Sequence, residues 1–185
     1  KSIRQKLAVN GALNMPEGYT ALVSLPTGGG KSLITQTMAY QKKDGLTITI
    51  VPTVSLAMDQ VRVAKENIRV ASESEITCYY SDLASEEKRN IIDRIKNRKL
   101  RLLFISPEAL IKNAVFKQAI EAANDAGYLR NLIIDEAHIV IEWGNFFRVD
   151  YQCLEPWRNN LYEKNSKLKT VLLSATYERT TVKIL

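Results

Sequence analysis

Apolar residues in this chain fall into short continuous runs separated by stretches with helical spacing. Runs at 19–24, 46–51, 76–80, 101–105, 129–134 and 170–174 read as strands. Most are apolar at nearly every position rather than at alternate ones, the pattern of strands covered on both faces. Between them, residues 2–13 read as a helix with Ile3, Leu7 and Leu13 on its buried side, and 33–40 as a second. Ala57, Val61, Ala64 and Ile68 mark a third. Ser85 is the expected N-cap of a fourth, with Glu86 and Glu87 in its first turn, Lys96, Arg98 and Lys99 in its last, and Ile91, Ile92 and Ile95 inward. Leu110, Ile111, Ala114, Val115 and Ile120 mark a fifth, closed by Gly127. Strands alternating with helices predict an α/β fold: one domain, a mostly parallel sheet, helices on both faces.

The polar, chemically distinctive stretches each follow a strand end: 26–32, 52–55, 106–108, 135–138 and 174–176. In an open parallel sheet the ligand lies outside the carboxyl ends of the strands, so the five stretches are expected to converge on one composite site.

The first stretch, Leu25-Pro-Thr-Gly-Gly-Gly-Lys-Ser32, lies where a strand gives way to a helix. Around Thr27, Gly28, Gly29 and Gly30, small residues let the backbone wrap so that successive N–H groups face one concavity, and the helix N-terminus adds its positive end. Lys31 would reach the β- and γ-phosphates of ATP, and the Ser32 hydroxyl would ligate Mg²⁺. Leu25 stands where the general phosphate-loop pattern has glycine. Leu132-Ile-Ile-Asp135 is an apolar strand ending in a carboxylate. Asp135 would hold Mg²⁺, and Glu136 would polarise the attacking water. His138, the only histidine, directly follows these carboxylates and is placed to hydrogen-bond toward Ser174 or Thr176.

Composition changes this picture little. The chain has 185 residues, 45% hydrophobic and 25% charged, which suits one globular domain. A net charge of +6 and a pI near 9.3 lean toward a polyanionic partner. Cys78 and Cys153 are far apart, with no Cys-x-x-Cys pair and no second histidine, so neither a zinc site nor a disulfide framework is expected. No apolar run approaches membrane-spanning length and no signal-peptide pattern is present, and a reducing cytoplasm is the expected compartment. The sequence begins at Lys1 without an initiator Met and is expected to be a piece of a longer protein.

Pro26-Thr-Gly-Gly-Gly-Lys-Ser32, Asp135-Glu-Ala-His138 and Ser174-Ala-Thr176 resemble motifs I, II and III of superfamily 2 helicases. Trp143-Gly-Asn-Phe-Phe-Arg148 is similar to the aromatic-rich loop that follows motif II in RecQ-type DNA helicases. The stretches 51–60 and 105–110 resemble motifs Ia and Ib of that group. The resemblance implies the first RecA-like lobe of a P-loop NTPase, with a second RecA-like lobe outside this sequence carrying the arginine finger. It also implies a 3′-to-5′ DNA helicase using ATP and Mg²⁺, in a prokaryotic, nucleoid-associated setting rather than a nucleus. Gln5 would read the adenine edge, and Thr53, Ser55, Gln60 and Ser106 would contact the DNA backbone. Ser174 and Thr176 would couple the two sites. Trp143 and Phe146 offer faces on which unstacked bases can stack, Arg148 could bind phosphate, and Phe147 is the aromatic expected to be buried. Trp157 reads as packing.

Val149, Glu142 and Ala109 depart from the residues usual in that family (proline, glutamine and arginine), as a divergent branch would. Two other functions stay open: a duplex translocase that does not separate strands, and a nucleotide-gated DNA-binding module with weak catalysis.

Overall fold

The continuous apolar runs become six parallel strands: β1 (Thr20–Ser24), β2 (Leu46–Ile50), β3 (Ile76–Tyr79), β4 (Leu102–Ile105), β5 (Leu129–Ile134) and β6 (Lys169–Ser174). They form one sheet in the order β1-β6-β5-β2-β4-β3 in the computed structural model, which describes residues 2–42, 44–68, 72–137 and 153–175. Every residue of β2 and β4 is buried, as strands sandwiched between two helical layers must be.

The helices are α1 (Ile3–Asn14), α2 (Lys31–Tyr40), α3 (Val54–Asn67), α4 (Ser85–Lys96), α5 (Pro107–Lys112), α6 (Ala114–Asp125) and α7 (Leu154–Lys164). On one face α1 and α2 bury Ala12, Ile34 and Met38 against Val23, Ile133, Val171 and Leu173, and α3 continues the layer with Ala57 and Ala64 against Leu102 and Phe104. On the other face α4, α6 and α7 set Ile91, Ile95, Phe116, Ile120, Trp157 and Leu161 against Ile48, Ile50, Leu103 and Leu132. The odd and even residues of a strand thus feed different cores.

Four sequence expectations change. Ile3 and Leu7 are 76% and 66% exposed; the inward side of α1 is Ala8, Val9, Ala12 and Leu13, whose small residues let it lie close on α2. The single helix expected near residue 110 is two. Asn113 ends α5 and its side chain accepts a hydrogen bond from Phe116 N, so it caps α6, while Ile111 and Val115 face outward. Ser85 is the first residue of α4 rather than its cap. Ala84 holds that place, its N–H donating to the Glu87 carboxylate. Helix α7 has no counterpart in the sequence expectations, although its Trp157 is buried as expected.

Candidate active site

The carboxyl ends of β1, β6, β5 and β2 lie side by side, and the backbone beyond them stays hydrogen-bonded. Leu25 N donates to Ser174 O (3.0 Å), Asp135 N to Ile50 O (2.9 Å) and Ala137 N to Leu173 O (2.8 Å). The residues after β5 are therefore tied to β2 on one side and β6 on the other. The phosphate loop is tied to β6.

The loop itself turns on glycine. Gly28 and Gly30 have φ of 75° and 85°, in the left-handed region. Gly30 is the N-cap of α2, and a Cβ there would sit 1.8 Å from the Gln5 Nε2 atom. Gln5 thus lies directly on the phosphate loop, held by α1, whose own N-cap Ser2 accepts from Gln5 N. Lys31 and Ser32 fall in the first turn of α2, where backbone N–H groups lack intrahelical acceptors. Leu25 is 3% exposed and belongs to the core beside Val23 and Ile34, which explains an apolar side chain where glycine is usual.

Across from the loop, Lys31 Nζ donates to Glu136 Oε1 at 2.5 Å and stands 3.7 Å from Asp135 Oδ1. Asp135 is 8% exposed, and burial pushes its carboxyl above the usual carboxylate range, with the Lys31 ammonium pulling the other way. Glu136 has φ of 52°, uncommon for a residue with a side chain, and its N–H donates to Asp135 Oδ1 (2.9 Å). The turn that follows β5 thus fixes both carboxylates relative to each other. One cation, two carboxylates and a hydroxyl in a helix's first turn are hard, oxygen-rich chemistry. They fit a polyphosphate and a small divalent cation held partly through water.

The expected nucleic-acid contacts divide. Thr53 caps α3, accepting from Leu56 N (3.2 Å), and Ser106 caps α5, accepting from Ala109 N (3.3 Å). Both hydroxyls therefore have a structural task, and each keeps its own O–H to donate. Thr53 and Ser55 are exposed and Gln60 is half-buried, whereas Ser106 is 6% exposed. Ala109 is buried in the core, so an arginine would not fit at its position. Ser174 is fully buried, its carbonyl on the first residue of the phosphate loop. His138, Trp143, Phe146, Phe147, Arg148 and Thr176 lie outside the described residues. Sequence reasoning gave Lys31 a phosphate to bind but missed its carboxylate partners, which only the sheet order brings opposite it.

Comparison with known proteins agrees with this geometry. The chain matches the DEAD/DEAH box helicase family over residues 2–184. It is 32% identical over 159 residues to the ATP-dependent DNA helicase RecQ of Synechocystis sp., covering 85% of this chain and 31% of that protein. It is 38% identical over 152 residues to the ATP-dependent helicase SGS1 of Saccharomyces cerevisiae, covering 80% of this chain and 10% of the relative. The chain therefore spans less than a third of these relatives. In fold it is similar to the DUF1998 helicase MrfA, with a TM-score of 0.75 at 17% identity over 100% of this chain and 28% of the other. Matched nearly end to end, and with RecQ-type DNA helicases among its relatives, the chain belongs to the DEAD/DEAH box helicase family.

Proposed function

We propose that residues 1–185 are the ATP-binding lobe of an ATP-driven DNA motor, completed by a second RecA-like lobe elsewhere in the protein. The observation that carries this reading is Lys31, at the head of α2, facing Asp135 and Glu136 at the end of a different strand, 3.7 and 2.5 Å away. Bound ATP·Mg²⁺ would supply the phosphoanhydride whose cleavage drives the motor. Gly28, Gly29, Gly30 and Thr27 wrap the phosphates, Lys31 neutralises them, and Ser32 and Asp135 hold the metal. Glu136 orients water and takes up its proton, and Gln5 reads the base. His138 would sense the γ-phosphate, and Ser174 and Thr176 would couple the ATP site to the DNA track. Thr53, Ser55, Gln60 and Ser106, with Trp143, Phe146 and Arg148, form the track for one DNA strand. Backbone contacts of this kind are sequence-tolerant and salt-sensitive. A bacterial cytoplasm, on the nucleoid, is the compartment we assign, in keeping with the cyanobacterial relative.

An arginine finger contributes ~10³–10⁵ in rate, so this lobe alone should bind nucleotide and turn it over poorly. The test compares nucleotide binding and ATP hydrolysis by the lobe with those of the full-length protein, with and without single-stranded DNA, each alongside Lys31→Ala. Binding lost in Lys31→Ala, with DNA-stimulated turnover and strand displacement only at full length, is the expected result. Brisk DNA-stimulated turnover by the lobe alone, or nucleotide binding indifferent to Lys31, would refute the reading.

A further inference from the structure

Strand β5 carries chemistry at both ends. Asp135 follows its carboxyl end, whereas Arg130 lies near its start, about 17 Å away at ~3.3 Å per residue. Around Arg130 an open depression lies between the end of α2 and the first residues of β2, β5 and β6. Its cations are Arg130, Lys42, Lys167 and Lys169; its carboxylates are Glu17 and Asp44.

These cations have different employments. Lys169 donates to Leu13 O at the end of α1 (3.2 Å), and Lys42 to Glu17 Oε1 (3.0 Å). Both are accounted for by the fold. Arg130 is not. Its Nε is buried with no hydrogen-bond partner among the described residues, although its charge acts on the nearby Glu17 carboxylate. The side chain is nonetheless held in place. Gly45 has φ of 140°, and a Cβ there would meet Arg130 Cγ at 2.4 Å, so the loop entering β2 is shaped around the arginine's stem. A buried, unpaired guanidinium atom is costly unless something supplies an acceptor. Glu17 shows what the depression attracts. Its carboxylate is paired with Lys42, and Lys42, Lys167 and Arg130 together hold it below the usual carboxylate range.

We propose that this depression is a second anion site, at the opposite edge of the sheet from the nucleotide, where Arg130 and Lys167 take a backbone phosphate of a nucleic-acid strand. A guanidinium fork matches two phosphate oxygens, and a flanking lysine adds charge without geometric demand. The opening is shallow and solvent-facing, which suits a phosphate carried on a strand running over the surface. The net charge of +6 favours the same partner. The proposal rests on the DNA-motor reading for its ligand. It adds a contact that the strand track at the carboxyl edge does not contain.

The test uses the whole chain as wild type, Arg130→Gln, which keeps the stem on Gly45, and Lys167→Ala at an exposed position. Anisotropy titrations of labelled oligo-dT from about 50 to 200 mM salt read affinity and its salt dependence, and a fluorescent nucleotide reads the phosphate loop in the same samples. Each variant should weaken oligo-dT binding about 3–10-fold at the low-salt end and reduce the log–log salt slope by ~0.7, one single-strand phosphate contact. Nucleotide affinity should not change. Wild-type affinity and slope in both variants overturn the site. Where inorganic pyrophosphate nonetheless shifts the Arg130 Nε–H resonance, the nucleic-acid contact is overturned and the depression is a free-anion site instead. Oligo-dT bound by the full-length protein but not at all by this chain overturns the site alone, and binding by neither overturns the DNA reading with it.

Discussion

Lys31 is held by the carboxylates it must leave, so replacing Glu136 with glutamine should tighten nucleotide binding even as it abolishes turnover. At 2.5 Å the Lys31–Glu136 pair is worth ~1.7 kcal/mol by Coulomb's law in bulk water, and fully exposed pairs yield about 0.2–1 kcal/mol. The two side chains are 13% and 26% exposed, so solvent screening is partial and about 1–1.5 kcal/mol is the part lost when Lys31 turns to phosphate. Glu136→Gln would remove most of that opposing term, an affinity gain of roughly 5–10-fold. The assay is a fluorescent ADP titration in Mg²⁺-free buffer, so that no metal offers the freed carboxylate a new partner. Removing a negative charge near phosphate would also help by lessening repulsion. A double-mutant cycle separates the two effects, because the gain through Lys31 must vanish in a Lys31→Ala background. Binding no tighter than wild type, or a gain that persists undiminished without Lys31, would refute the argument.

Two further outcomes concern Asp135 and Asn113. Asp135→Asn removes a charge that burial disfavours while keeping an oxygen for Glu136 N, so the melting temperature at neutral pH should rise, by about 2–4 °C per kcal/mol relieved. Because the folded carboxyl titrates above its unfolded value, the wild-type penalty is complete above the folded pKa and gone below the unfolded one. Melts repeated from pH 7 downward should therefore converge, and a constant gap would contradict the burial argument. Asn113→Ala deletes the cap of α6 and the 2.6 Å hydrogen bond from Nδ2 to the buried Tyr79 hydroxyl. Together these cost about 2 kcal/mol, a fall of about 4–8 °C, and Tyr79→Phe in the same background should add little.

The sheet was legible because its strands are apolar at almost every position, and polar punctuation after five of the six marked where to look for a site. Less legible were choices between equivalent patterns. In α1 two apolar stripes compete at helical spacing. Burial went to the one with Ala8 and Ala12 because close approach to α2 favours small residues, a preference invisible to periodicity. Helix α7 carries Leu154, Trp157 and Leu161 inward, with Pro156 in its first turn. Proline in a first turn breaks nothing. Asn113 falls inside the single helix that spacing predicts, whereas its side chain caps the second of two. In the active site, residue identities gave each group its chemistry, while the partnership of Lys31 with Glu136 depends on strand order. Arg130 carried no signal at all, since its setting depends on a loop folded around its stem.

The left-handed backbone at Glu136 sets protein quality against function at one position. Glycine or asparagine would occupy φ of 52° with less strain, so the substitutions that ease folding there are ones that delete the carboxylate we propose as the water-orienting group. Screens that reward only expression or solubility should therefore drift toward inactive lobes at residue 136.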